Sequence, residues 1–219
     1  MTFGLSRVAG EAVVEPISLD DAKLHLRVDG SAEDDLIGSM ITSARTSCER
    51  RMQRSILGQS WVLTQSSFLH PSAKHQDRHL VGWINPDWYR ARSRAAPDSI
   101  VLPNPPIRSI TSVVYLDRDL QRQTLDPSAY RLAVMGETLA MLRPVNGPWP
   151  QTAREPDAVT VRYEAGWANP EDIPSPMISW IKLRLASLYA NREEFAAGLP
   201  VAEVGFADGL LDPYSIPAV

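Results

Sequence analysis

The order of periodicities along this chain constrains its fold more than any single residue does. Helical spacing occupies roughly 18–28 and 31–54, then returns only at roughly 175–194. The stretch between reads as short strands separated by Pro- and Gly-bearing turns. Helices so far apart in sequence share a core only if the β segment leaves that core and comes back. The expected fold class is therefore α+β: an α-helical core of two N-terminal helices plus one late helix, with an inserted antiparallel β-sandwich or barrel-like domain. The expected parts are 1–56 for the start of the helical core and 57–170 for the inserted β domain, with a long loop at 70–98. The late helix follows at 171–196, then a C-terminal tail at 197–219.

Local signals support each helix. Ser18 is a good N-cap, Asp21 sits three residues later, and Ile17 can pack on the first turn. Asp20 and Asp21 precede Lys23, His25 and Arg27, the order a helix dipole prefers, and Asp29-Gly30 is the expected stop. Ser31 is the expected cap of the second helix, with Glu33, Asp34 and Asp35 in its first turn. Leu36, Ile37, Met40, Ile41, Ala44, Cys48 and Met52 then form one apolar stripe. Pro174-Ser175-Pro176 opens the third helix, whose apolar residues, from Met177 to Ala190, cover more than one stripe. Such a helix is either central or shared with a neighbour. Strands are expected at 60–65, 100–103 and 110–116, in a hairpin of 130–134 with 138–142, and at 159–165, where alternation is clear. The tail from Gly198 is too apolar for a simple disordered end.

Chemistry is sparse. A net charge of −4 and a pI near 5.6 argue against nucleic-acid binding by the whole surface. The lone cysteine, Cys48, rules out an intramolecular disulfide, and its place on the apolar stripe predicts a protonated, unreactive thiol. His70, His75 and His79 lie near Asp77, but their spacing fits no compact zinc motif. The acidic pairs Asp20/Asp21 and Glu33/Asp34/Asp35 are explained by helix N-termini. No nucleophile elbow, Walker loop or dinucleotide fingerprint occurs. The chain is expected not to be an enzyme and to use no cofactor and no metal. The first 14 residues lack a continuous apolar core, and no run of about 18 apolar residues exists, so neither a signal peptide nor a membrane span is expected. One segment stands out: Trp83, Trp88 and Tyr89 mixed with Arg90, Arg92 and Arg94. This composition suits either a protein contact or the stacking of bases with a grip on phosphates.

The ordered landmarks resemble a known family. Glu15-Pro16-Ile17-Ser18-Leu19-Asp20-Asp21-Ala22-Lys23-Leu24-His25-Leu26-Arg27-Val28-Asp29 is similar to the start of tailed-phage head–tail connector proteins, also called adaptors. The likeness continues through Glu33-Asp34-Asp35-Leu36-Ile37, Ala44-Arg45, Cys48-Glu49 and Gln59-Ser60-Trp61. It resumes at Leu102-Pro103, Pro106-Ile107, Ser112-Val113-Val114-Tyr115, Trp149-Pro150 and the run from Val159 to Gly166. Pro174, Leu188-Tyr189, Asn191-Arg192-Glu193, Leu210-Leu211 and Pro213-Tyr214 complete it. The stretch from His70 to Asp98 is longer than the family's usual pattern, so its role is not inherited.

The resemblance implies a structural virion protein at the head–tail junction of a phage or gene-transfer agent, made in the bacterial host cytoplasm. Its homo-oligomeric ring, of twelve copies, would sit beneath the portal protein and extend the DNA channel. The ring would also offer a docking surface to the next tail or neck protein, a stopper or tail terminator. DNA would pass without sequence-specific binding, and no membrane is involved. The resemblance places the portal contact on Val204, Phe206, Leu210, Leu211 and Tyr214, and the ring contact on Trp180, Leu183, Arg184, Asn191 and Arg192. The helices are expected to make most ring contacts, and deleting 204–219 is expected to leave a folded chain. The rival readings are another neck or tail-completion protein, a nucleic-acid-binding protein acting through Trp83 to Arg94, and a hydrolase with an unrecognised site.

Overall fold

In a computed structural model, the described residues are 3–8, 14–68, 98–191 and 205–216. The α+β expectation holds. Helices and antiparallel strands build two hydrophobic cores, one helical and one between sheets.

The helical core is made by α1 (Leu19–Leu26), α2 (Asp34–Met52), α3 (Ser175–Ala190) and the short α4 (Gly205–Gly209). Ser18 caps α1 as its sequence suggests: the Asp21 N–H donates to Ser18 Oγ at 3.0 Å. The helix ends earlier than Gly30, because Arg27 takes the left-handed conformation (φ 59°) and its N–H closes back on Leu24. Ser31 does not cap α2; the turn it begins delays the helix until Asp34, with Glu33 at the cap position. Lys23 and Asp34 pair at 2.7 Å and hold α1 against the start of α2. Ile37, Ile41, Ala44, Cys48 and Met52 face inward from α2, onto Met177, Trp180, Ile181 and Leu185 of α3.

The β part contains a five-stranded and a three-stranded sheet, both antiparallel. The first has the order β1-β2-β8-β4-β5 and the second β3-β7-β6. These strands are β1 (Phe3–Arg7), β2 (Gln59–Gln65), β3 (Ile100–Leu102), β4 (Ile107–Leu116), β5 (Arg122–Thr124), β6 (Tyr130–Met135), β7 (Leu139–Pro144) and β8 (Val159–Ala165). Leu63, Val113, Val159, Val161 and Tyr163 of one sheet share a core with Ile100, Leu102, Ala140 and Leu142 of the other, so the sheets pack as a sandwich. Alternation in β8 places Val159, Val161, Tyr163 and Ala165 inside. Tyr163 satisfies its buried hydroxyl by donating to the Pro103 carbonyl at 3.0 Å. Phe68 stacks on Trp149, with ring centroids 4.7 Å apart, and meets Tyr115 edge-on. Two strands were not foreseen, β1 and β5. β1 is an edge strand that pairs only with β2, more than fifty residues later in the sequence.

The two cores meet along a narrow seam. Leu57 and Trp167 form a parallel bridge, and the Trp167 N–H donates to Ile56 O at 2.9 Å. Gly166 lies against Leu57 with φ +100°, and its N–H donates to Pro106 O at 2.8 Å. Arg54 and Asn104 make a second bridge. No helix among the described residues is long and apolar enough to cross a membrane.

Candidate functional site

The described residues present no metal centre. No group of three or more His, Cys, Asp or Glu could hold a metal ion there. His70, His75, His79 and Asp77 lie outside the described residues, as do Trp83, Trp88, Tyr89, Arg90, Arg92 and Arg94. A hollow of about 830 Å³ opens beside Phe68 and Asp98, which bound that segment, and includes Arg118, Arg143 and Trp149. Cys48 is fully buried, and burial pushes its thiol well above the ordinary range, as its position on the α2 stripe suggested.

The surfaces that remain are those of the helical layer. Of the ring-contact candidates, Leu183, Arg184 and Asn191 are exposed. Trp180 is buried in the chain's own core, and its indole N–H donates to Asp208 Oδ1 at 3.2 Å. Arg192 lies outside the described residues. Leu24 is 80% exposed on α1, and Leu36 is exposed near the start of α2. Tyr189, near the end of α3, donates its hydroxyl to Glu33 at the α2 N-terminus.

The C-terminal segment turns back on its own chain. Asp208 accepts from Trp180 and pairs with Arg51 Nη2 at 2.8 Å, so α4 is clamped to both α3 and α2. Leu211 is fully buried in the helical core. Ile216 is buried too, and its N–H donates to Met52 O at 3.2 Å, at the end of α2. Of the portal-contact candidates, Leu210 and Tyr214 are half-buried against this core, whereas Val204 and the side chain of Phe206 lie outside the described residues. The expectation that residues 204–219 are dispensable for folding does not fit this packing: removing them takes Leu211 and Ile216 from the core and Asp208 from its two partners. An apolar tail signalled burial, but the sequence alone did not say against which chain.

A polar network stands at the join of the helical layer and the first sheet. Arg45, 3% exposed, donates to Glu15 and to Glu49, both at 2.8 Å. Glu49 also accepts from the Ile56 N–H at 2.9 Å and from the Gln59 amide. Burial works to lower the Arg45 pKa, but Glu15 and Glu49 outweigh it and raise the pKa, so the guanidinium stays charged. Beside this network is a cleft of about 430 Å³, with walls that include Arg7 and Trp61 from the sheet and Arg45, Arg50 and Arg54 from α2 and its end. The basic residues Arg45, Arg50, Arg51 and Arg54 fall in the C-terminal half of α2 and just past it, where the helix dipole favours cations on a solvated face. Arg45 and Arg54 depart from that, because their side chains are buried.

Comparison with known proteins identifies the architecture. Residues 16–92, which include α1, α2 and β2, match the family described as phage gp6-like head-tail connector protein. The whole fold is similar to chains of three solved particles. One is the neck of an empty GTA particle with C6 symmetry, at TM-score 0.72 and 17% identity, covering 99% of this chain and 97% of that one. Another is the virion of a native gene transfer agent (GTA) particle, at TM-score 0.66 and 18% identity, covering 98% and 96%. The third is the neck of a native GTA particle with C12 symmetry, at TM-score 0.65 and 16% identity, covering 99% and 97%. No curated protein matches the chain. The resemblance to head–tail connectors read from the ordered landmarks thus finds support from both the family match and the fold.

Proposed function

We propose that this chain is a head–tail connector, a structural and non-enzymatic component of the neck of a phage-like or gene-transfer-agent particle. One observation carries the reading. The segment that matches the connector family forms half of the helical core, and the fold built on it follows a GTA neck chain over 99% of its length. The C6 and C12 symmetry of the two neck structures supports a closed ring, with twelve copies as the expected number. In this ring the exposed positions Leu183, Arg184 and Asn191 serve the contact between copies, and Trp180 fixes the helix that carries them. The tail from Val204 to Tyr214 faces the portal, with Leu211 as its internal anchor and Leu210 and Tyr214 as contact residues. A net charge of −4 suits a collar through which DNA slides, because each added cation would strengthen the hold on phosphates. The opposite face receives the next tail or neck protein.

Imaging of particles that carry a tagged copy of the chain tests this reading. A twelve-fold collar between head and tail is expected. Label in the capsid wall, the tail tube or the tail tip would overturn it. Particles with Leu210→Asp and Tyr214→Ala are expected to retain the folded protein but to lose head–tail joining. Normal joining with this double variant would remove the tail from the portal contact.

A further inference from the structure

Arg54 is placed in a way that the fold alone does not explain. It lies just past α2, 3% exposed, and its Nε and Nη1 have no hydrogen-bond partner. The nearest carboxylate, Glu137 Oε2, is 3.9 Å from Nη1, too far for a hydrogen bond, on a side chain that is 62% exposed. Guanidinium N–H groups left unmet in the interior are costly, whereas an acceptor that reaches them restores most of that loss. Arg54 opens onto the cleft beside α2. The neighbouring Arg45 is already saturated by Glu15 and Glu49. Arg54 is therefore a buried cation of this cleft with binding capacity to spare.

The shape of the group selects the ligand. A planar guanidinium fork suits a carboxylate or a phosphate. A duplex backbone is too broad to follow a side chain this deeply buried into a cleft of about 430 Å³. A carboxylate on a single side chain is slim enough. This chain supplies such groups at the other end of the same helix, where Asp29 and Asp35 are exposed beside the α1–α2 junction. At 1.5 Å per residue, α2 holds Asp35 about 28 Å from Arg54 on one rigid rod. A group that cannot reach its own chain's receiver can reach the next copy's. Contacts of this head-to-tail kind close rings.

We infer that the cleft beside the end of α2 receives a junction carboxylate, Asp29 or Asp35, from a neighbouring copy of this chain, with Arg54 as the residue that binds it. The inference rests on the ring reading above and adds the chemistry of its contact.

Sedimentation velocity of the full chain over a wide range of concentration and salt tests it. The wild type is expected to self-associate, and less so at high salt. Arg54→Met and the double variant Asp29→Asn/Asp35→Asn are each expected to weaken association about ten-fold or more, the scale of one charge-assisted hydrogen bond lost. Arg54→Met is expected to keep or raise the melting temperature, because it removes unmet polar atoms from the interior. If Arg54→Met lowers the melting temperature, the exposed aspartate pair decides the outcome. Association unchanged in the aspartate variant would overturn the inference and leave the ring reading intact. A chain that stays monomeric throughout would also overturn this contact, and imaging of the neck would then decide the ring separately.

Discussion

Gly166 shows how much a single residue settles in this molecule. A Cβ at this position would stand 2.3 Å from Leu57 O and 2.4 Å from Leu57 C, and the backbone is left-handed with φ +100°. Neither wall is a side chain that can swing away. Gly166→Ala is expected to cost on the order of 3 kcal/mol, measured by urea denaturation. Arg45 is the polar counterpart. Arg45→Ala would leave Glu49 buried beside the seam without its cation, and a loss of about 3–5 kcal/mol is expected in the same assay. Cys48 gives a chemical readout of the core. Its buried thiol should resist alkylation in the native protein at pH 8 and react at once after unfolding.

At the scale of elements, helices were the most legible part of the sequence, because a 3.6-residue stripe survives whatever it packs against. Strand β8 was equally clear, since both of its faces kept the alternation. Helix ends were less so: Arg27 and Gln53 take left-handed conformations that glycine or asparagine usually signal. Strand β1 was hidden because five residues without strong β character become a strand only when β2 arrives to pair with them. The clamp around Asp208 was invisible for a similar reason, since Arg51, Trp180 and Asp208 are far apart in the chain. Two predictions belong here. Truncation before residue 205 is expected to lower stability by roughly 3–6 kcal/mol, from the loss of two buried aliphatic side chains. In the turn between β4 and β5, Asp117 accepts from the Gln123 side chain and from the N–H groups of Gln121 and Asp119, which holds its carboxyl below the usual range. A depressed folded-state pKa means this support is present above the unfolded value and is lost as pH falls through the folded one. Protection of the Asp119 and Gln121 amides, taken relative to their intrinsic exchange rates at each pH, should therefore fall in acid, below the ordinary aspartate range, before the sandwich itself opens.

For the whole molecule, the cooperative unit is the main consequence of having two cores. Helices pack mainly on helices and strands on strands, and the seam between them carries few hydrogen bonds. Calorimetric unfolding is expected to resolve two components, and Gly166→Ala is expected to separate them further. A single transition whose van't Hoff and calorimetric enthalpies agree would show that the seam couples the cores fully. Apart from β1, which precedes the helices, the larger outline of helices, then strands, then a late helix was readable from the sequence. The location of the cleft beside α2 was not, because it depends on where α2 ends relative to a sheet edge that the sequence did not announce.

The bridge between Leu57 and Trp167 has a consequence for how such chains diversify. The polypeptide leaves the helical core and returns to it at neighbouring points, so the intervening hundred or so residues form a cassette held at one seam and edged by β1, which comes from the other side of the helices in sequence. A cassette of this kind can be lengthened, shortened or exchanged with little demand on the helices beneath it. That licence is one physical reason a fold of this kind could keep the same helical chassis while its β part is retailored.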